Sequence, residues 1–221
     1  MEKFSLDAAS SIYKAQREAL RQAEISLTIQ REKVAAMRRE LTTETPVPED
    51  YVFTEATASG ESEVRLSGLF ERGSGTLIVF HYMWKPDDQN PCPMCTMWTD
   101  GYNAVAPHVS RNAAMVVVAK QDAATVRAFA DQRGWDKLRT VSSGGTSFNL
   151  DFGMEDADGN QMPGVSVFVK NANGQIHHFY TLSAIMGDDH YRGMDLLSPV
   201  WNMLDLLPNG RSDWMPSVKY S

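Results

Sequence analysis

Two stretches of this chain are apolar at nearly every position. Leu77-Ile78-Val79-Phe80, continued by His81, Tyr82, Met83 and Trp84, is one; Ala113-Ala114-Met115-Val116-Val117-Val118-Ala119 is the other. Both are strand-length and rich in β-branched or aromatic residues, so they read as strands of a sheet covered on both faces. A third run, Val165-Ser166-Val167-Phe168-Val169, is followed by the turn signal Asn171-Ala172-Asn173-Gly174 and by Ile176-His177-His178-Phe179-Tyr180. That pattern predicts an antiparallel hairpin. The adjacent His177 and His178 then point to opposite faces and do not line one site together. Shorter strands are expected at Tyr51-Val52-Phe53 and Glu63-Val64-Arg65-Leu66, with a tight link at Gly73-Ser74-Gly75.

The helical pattern is as clear. From about Asp7 to Leu41 the chain has no Gly or Pro and abounds in Ala, Glu, Gln, Arg and Lys, which predicts one long helix capped by Ser5 or Asp7. Tyr13, Leu20, Leu27, Val34 and Leu41 recur every seven residues, but Gln16 and Gln30 interrupt the row three positions on. The seam is therefore half polar, which suits either a solvent-lapped helix or an arm that joins two copies of the chain. A helix of about 50 Å outruns one small domain. Further helices are expected over Thr96–Ser110, with Trp98 in the core, from the cap Asp122 to Arg133, where Gly134 ends it, and over Leu196–Leu207 with a break at Ser198-Pro199. Ser142 to Gly153 reads as a loop. Strand, helix, strand, helix at this spacing predicts a βαβ unit.

Between the first strand and its helix lies the candidate chemistry. Lys85-Pro86-Asp87-Asp88-Gln89-Asn90-Pro91 is a turn, and Cys92-Pro93-Met94-Cys95 opens the helix. A thiolate attacks a disulfide; a thiol does not. A cysteine on the first turn of a helix faces unpaired N–H groups and the positive end of the dipole, both of which favour the anion. Pro93 suits that turn because its missing N–H costs nothing there. Cys92 is thus the candidate attacking thiol and Cys95 the resolving one. Half a zinc site is disfavoured: these are the chain's two cysteines, and no H-x3-5-H pairing accompanies them. A structural bridge over so short a loop would stabilise little. His81, Tyr82 and Asp151 are the candidate acid or base partners.

Composition narrows the rest. With 221 residues and 43% hydrophobic content, one domain plus an extension has an ample core. A net charge of −7 argues against non-specific nucleic-acid binding. No apolar run has the length of a membrane span, and the N-terminus lacks a signal-peptide core, so a cytoplasmic location is expected, with the dithiol mainly reduced. No metal or cofactor is expected.

Strand, CPMC, helix, strand, helix, Met162-Pro163, hairpin and closing helix resemble the thioredoxin fold: an α/β fold with a central mixed sheet flanked by helices, here with a long N-terminal helix. LIVFHYMW at 77–84, CPMCTMWTDGYN at 92–103, RGWDKLRTVSSGGTSFNLDFG at 133–153, PGVSVFVKNANGQIHHFY at 163–180 and LDLLPNGR at 204–211 are similar to a bacterial thioredoxin-like family carrying a domain of unknown function, whose members are described as predicted dithiol-disulfide oxidoreductases. The chain then divides into residues 1–45, helix and linker with the helix as candidate homodimer arm, and 46–221, which the resemblance implies is the thioredoxin-like domain. It implies Cys92 and Cys95 as the catalytic dithiol. It implies that Pro163 is the cis-proline facing them, leaving Met162 free to pair with an extended substrate, and that Pro93, Met162 and Pro163 contact it. Asn90-Pro91 stands where thioredoxin has a tryptophan. The expected partner is a disulfide-containing protein or a low-molecular-weight thiol. Two other functions compete. One is a thiol peroxidase, although Gln89 occupies the place of the threonine three residues before a peroxidatic cysteine. The other is a redox-responsive dimeric module without turnover.

Overall fold

The computed structural model describes residues 8–70, 75–187 and 192–220. The chain divides into two compact units, Met1–Thr42 and Thr43–Ser221. The first is built on helix α1, Ser11–Arg39. Its cap is Ser10, whose Oγ accepts the Tyr13 N–H at 3.1 Å; Ser5 and Asp7 lie outside the described residues. Arg38 and Arg39 sit in the last turn, where positive charge complements the helix dipole. No residue of α1 is buried, and Leu20 and Leu27 of the seven-residue row stand more than half exposed.

The second unit is a sheet with helices on both faces. Among the described residues its strands are β1 (Thr45–Pro46), β2 (Val52–Thr57), β3 (Gly60–Arg65), β4 (Thr76–His81), β5 (Ala114–Ala119), β6 (Arg139–Ser142), β7 (Gly164–Lys170) and β8 (Ile176–Ser183). Their order is β1-β8-β7-β4-β5-β6-β2-β3. β4, β5 and β6 run parallel, and β7 joins β4 antiparallel. This is the mixed sheet expected of a thioredoxin-like fold. The helices are α2 (Pro93–Val109), α3 (Ala123–Arg133), α4 (Phe148–Asp151) and α5 (Pro199–Leu204). Asp122 caps α3, and Gly134, at φ +73°, ends it.

Alternation along β4 divides the core. Phe80, with Tyr82 just beyond the strand, faces α2 and α3 and packs with Cys95, Trp98, Tyr102, Val126 and Trp135. Leu77 and Val79 face the other way, onto Tyr51, Phe53, Leu66 and Phe148. Both strands expected to be buried on two faces are so.

One expectation fails locally. Ser142–Gly153 is not simply a loop: Ser142 ends β6, whose four residues carry too little alternation to register in the sequence, and α4 fills most of one turn. The expected link at 73–75 lies outside the described residues except for Gly75. The hairpin of β7 and β8 forms, with an irregularity at Val167/Phe168 that pairs Phe168 with His178 and Val167 with Tyr180. The extra residue lets His178 Nε2 reach Thr181 Oγ1 at 2.8 Å. His177 points elsewhere, its Nε2 3.4 Å from Asn171, so the two histidines share no site.

Gly164 positions the start of β7. A Cβ there would lie 2.2 Å from Met154 Sδ and 2.9 Å from the Leu182 carbonyl oxygen. The methionine can move; the paired backbone of β8 cannot. Gly164→Ala is expected to lose about 1–3 kcal/mol in urea unfolding; unchanged stability would show that β8 yields.

Candidate active site

β4 ends in the middle of the sheet, where Tyr82 N–H bonds the Val118 carbonyl at 2.8 Å and the turn begins. Asp88 closes that turn: its N–H donates to the Lys85 carbonyl at 3.0 Å and its carboxylate accepts the Lys85 N–H at 3.3 Å. Gln121, just beyond β5, braces it from beside, donating to the Lys85 carbonyl at 3.2 Å. The chain then returns, and the Cys92 N–H meets the Met83 carbonyl at 3.3 Å. Cys92 is the N-cap of α2, with extended backbone, and Pro93 occupies the first turn.

Cys92 caps with sulfur. Its Sγ accepts the Cys95 backbone N–H at 3.4 Å, and its own side chain is half-buried. The thiol is pulled down to about 6, against the opposing effect of burial. The largest cause is the hydrogen bond from the Cys95 thiol; the N–H groups of Cys95 and Met94 add to it. The sequence assigns this effect to the helix start alone, so the resolving thiol is the addition. Cys95 itself is fully buried and unbridged, and burial, then its bond to Cys92, pushes its thiol well above the ordinary value. One thiol is thus a half-buried anion near neutral pH and the other a buried acid that solvates it.

The three proposed acid–base partners fall away. His81 points to the opposite face of the sheet, stacked on Phe148 with 5.4 Å between ring centres. Asp151 lies on that same face, accepting from Tyr51 and Ser147 at 2.7 and 2.6 Å. Tyr82 is on the dithiol side, but its hydroxyl is buried against Thr96 Oγ1 at 2.7 Å and burial pushes its pKa far above the ordinary value. It orders the helix start, since Thr96 in turn donates to the Cys92 carbonyl at 2.9 Å.

Pro163 is trans: among the described residues no peptide bond is cis. Nor is Met162 free to receive a strand. Its N–H donates to the Met154 carbonyl at 2.9 Å, and the Pro163 carbonyl accepts from Ala184 at 3.1 Å, so this segment is already paired on entering β7. The residues that border Cys92 come one step earlier and from further away. A cleft of about 810 Å³ opens on Cys92, with Pro91 and Pro93 beside it, Lys85 and Asp88 from the turn, Asn160 and Gln161 opposite, and Ser217-Val218-Lys219 closing the side. Sequence reading missed this second half. Asn160 carries a weak signal, the Asp-Ala-Asp-Gly-Asn turn that it closes by bonding Asp156 at 2.8 Å. The tail carries none: its placement depends on Arg133 of α3, which donates to the Val218 carbonyl at 2.8 Å.

Among the described residues no cluster of three or more His, Cys, Asp or Glu could hold a metal, and no helix is long and apolar enough to cross a membrane.

Solved structures similar to this one include peroxiredoxins. The reduced Prx3 of Vibrio vulnificus, in complex with H2O2, is 14% identical, with a TM-score of 0.50 over 71% of this chain and 97% of that one. A mitochondrial 2-Cys peroxiredoxin from Plasmodium falciparum is 11% identical over 75% of this chain and 95% of that one, with a TM-score of 0.48. At such identity the likeness speaks for the fold, which is thioredoxin-like. No curated protein matches the sequence. A family profile matches residues 5–220, nearly the whole chain, and with it the dithiol, the cleft and the tail: the protein belongs to DUF899, a bacterial family of unknown function.

Proposed function

We propose that the protein is a thiol-disulfide oxidoreductase in which Cys92 attacks and Cys95 resolves. What carries this reading is the division of labour between two sulfurs three residues apart. With its thiol near 6, Cys92 is about nine-tenths thiolate at neutral pH. Its Sγ attacks a substrate disulfide, forms a mixed disulfide and releases the first thiolate. Cys95 then loses its proton to the released thiolate, and its sulfur attacks Cys92 Sγ. The second thiolate leaves, and the two electrons that reduced the substrate have come from the Cys92 and Cys95 sulfurs, which are oxidised to a disulfide. A sulfur of low pKa is also the better leaving group, so Cys92 is suited to be attacked again when an external dithiol restores the pair.

Stoichiometry tests this. Reduced wild-type protein mixed with Ellman's reagent is expected to release two chromophore anions and end without an adduct. Cys95→Ser is expected to release one quickly and keep the other on Cys92. Cys92→Ser is expected to react about a thousandfold more slowly, because the buried Cys95 is left as the sole thiol. If instead Cys92 is slow with disulfides but turns over H2O2 through a sulfenic acid, the protein is a thiol peroxidase. If Cys92 does neither and removal of residues 1–41 dissolves a dimer, it is a redox-responsive module.

A further inference from the structure

The cleft over Cys92 has a charge, a boundary and an unsatisfied donor that the exchange reaction alone does not require. We propose that it is a binding site for a small disulfide bearing carboxylates, of the amino-acid-derived class, rather than a docking groove for a protein strand. The inference rests on the thiol–disulfide reading above and specifies its substrate.

Three observations carry it. First, the segment that would have to pair with an extended polypeptide is taken. Met162 N–H and the Pro163 carbonyl are both bonded within the domain. Without that donor and acceptor, β-augmentation lacks its main-chain contacts on this side.

Second, the cleft is walled by the chain's own tail. Pro216 is buried, and Val218 is tied through its carbonyl to Arg133, which also pairs with Asp100 of α2. Trp135 Nε1 donates to the same Asp100 at 2.8 Å. Ahead of that clamp, Trp214 stacks on Tyr220 and meets Trp201 edge-on. The tail is therefore held from α2, α3 and α5, and Ser217–Lys219 close one flank of a space whose volume of about 810 Å³ is that of a small-molecule site.

Third, the groups facing the space ask for acceptor oxygens. Gln161 Nε2 is buried without a hydrogen-bond partner, which a protein tolerates rarely. Lys85 and Lys219 stand on the turn and the tail, on two sides of Cys92. Lys120 and Lys137 are tied to Glu155 and Asp136, whereas Lys85 and Lys219 make no ion pair among the described residues. Asp88 is the carboxylate in the lining, and it is engaged by the Lys85 backbone N–H. On a chain of net charge −7, two unpaired lysines beside the nucleophile are a local reversal of sign. A carboxylate on the carbon chain next to a disulfide would meet the lysines, and its oxygen or that of a neighbouring amide would satisfy Gln161.

The test compares two disulfides of matched size and opposite charge, dithiodipropionate and cystamine, with insulin as a protein disulfide. Rates of loss of Cys92 thiol in the reduced full-length protein are normalised to its alkylation by neutral iodoacetamide, which corrects for any change in thiolate content. The dicarboxylate is expected to react at least about tenfold faster than the diamine, and insulin to be the slowest. Lys85→Glu and Lys219→Glu should each lower the dicarboxylate-to-diamine ratio by about fivefold or more. Gln161→Leu should slow the dicarboxylate by about tenfold and leave cystamine unchanged, whereas a merely structural defect would slow both. Equal rates for the two small disulfides, a ratio indifferent to both lysine variants, or insulin reacting faster than the dicarboxylate would overturn this assignment and leave the exchange reaction standing. Failure of Cys92 to react with any of the three would overturn both.

Discussion

Alkylation of Cys92 by iodoacetamide is expected to rise with pH through a midpoint near 6, and Cys95→Ala is expected to move that midpoint upward by more than a unit. The reason is the order of the causes: the Cys95 thiol is the first stabiliser of the Cys92 anion, ahead of the backbone N–H groups of Met94 and Cys95. Removing it leaves the helix start intact. For a rise of one unit the thiolate fraction at pH 6 falls about fivefold, and for two units about fiftyfold, and the alkylation rate falls with it. Cys95→Ser supplies the contrast. A hydroxyl in the same place is at least as good a donor as a thiol, so the midpoint should stay low although the dithiol is gone. If alanine and serine both leave the midpoint near 6, the helix terminus suffices by itself and the thiol–thiol hydrogen bond contributes nothing measurable.

Stability follows the same shift. The folded Cys92 thiol lies below its unfolded value, so the stabilisation it provides is present in full above the unfolded value and is lost as pH falls toward about 6. Oxidation of the pair removes this dependence, because neither sulfur then titrates.

The contrast between the alanine and serine variants also locates what the sequence made legible. The positions of both cysteines, the strand that leads to them and the helix that begins on Cys92 all follow from local pattern: an apolar strand, a turn and a proline at the first helical position. These are properties of contiguous residues. The hydrogen bond that sets the Cys92 thiol depends on the burial of Cys95, fixed by Tyr82, Trp98 and Tyr102 packing around it, and packing is not written in any one segment. The misassignments have the same origin. The resemblance implied a cis bond at Met162-Pro163, but the hydrogen bonds of this segment to Met154 and Ala184 are set by segments about eight and twenty residues away. Val218 enters the site through Arg133, eighty-five residues earlier. No periodicity announces such a contact. The long helix α1 is the opposite case: its composition alone predicts it, and Ser10 replaces the expected cap because Ser10, not an earlier residue, stands three positions before the Tyr13 N–H it satisfies.

His81 shows how a residue can be read correctly as special and wrongly as catalytic. It lies in an apolar strand, directly before Tyr82, within reach of the dithiol along the sequence. Alternation turns it to the other face, where it is 1% exposed. There its Nδ1 faces Asn149 Oδ1 at 3.3 Å and its Nε2 faces Ser166 Oγ at 2.8 Å. Ser166 continues to Thr181 at 2.8 Å, and Thr181 to His178 at 2.8 Å. Because Asn149 offers an acceptor, His81 Nδ1 carries the proton and Nε2 accepts from Ser166; Thr181 then donates to Ser166 and His178 Nε2 to Thr181. The chain of donors runs one way and ends on a neutral His81. A second proton on Nε2 would face the Ser166 hydroxyl and force every donor in the row to turn.

Burial, with a lesser contribution from His178, accordingly lowers His81 to about 4. The unfolded chain takes up its proton near 6.5, so the native state is favoured in full above that pH. The contribution then declines as pH falls from about 6.5 to about 4, by roughly 3 kcal/mol in all. Urea unfolding of the reduced protein at a series of pH values should show this decline beginning well above the range in which carboxylates titrate. His81→Gln keeps a polar side chain but cannot titrate. It is expected to cost about 2–4 kcal/mol at neutral pH, by leaving Ser166 or Asn149 without its partner and emptying the stack on Phe148, and to flatten the pH dependence between 6.5 and 4. A variant that is destabilised yet keeps the wild-type slope would place the acid sensitivity elsewhere. A variant as reactive at Cys92 as the wild type, when assayed where it is folded, is the expected companion result, since the sheet separates this row from the dithiol.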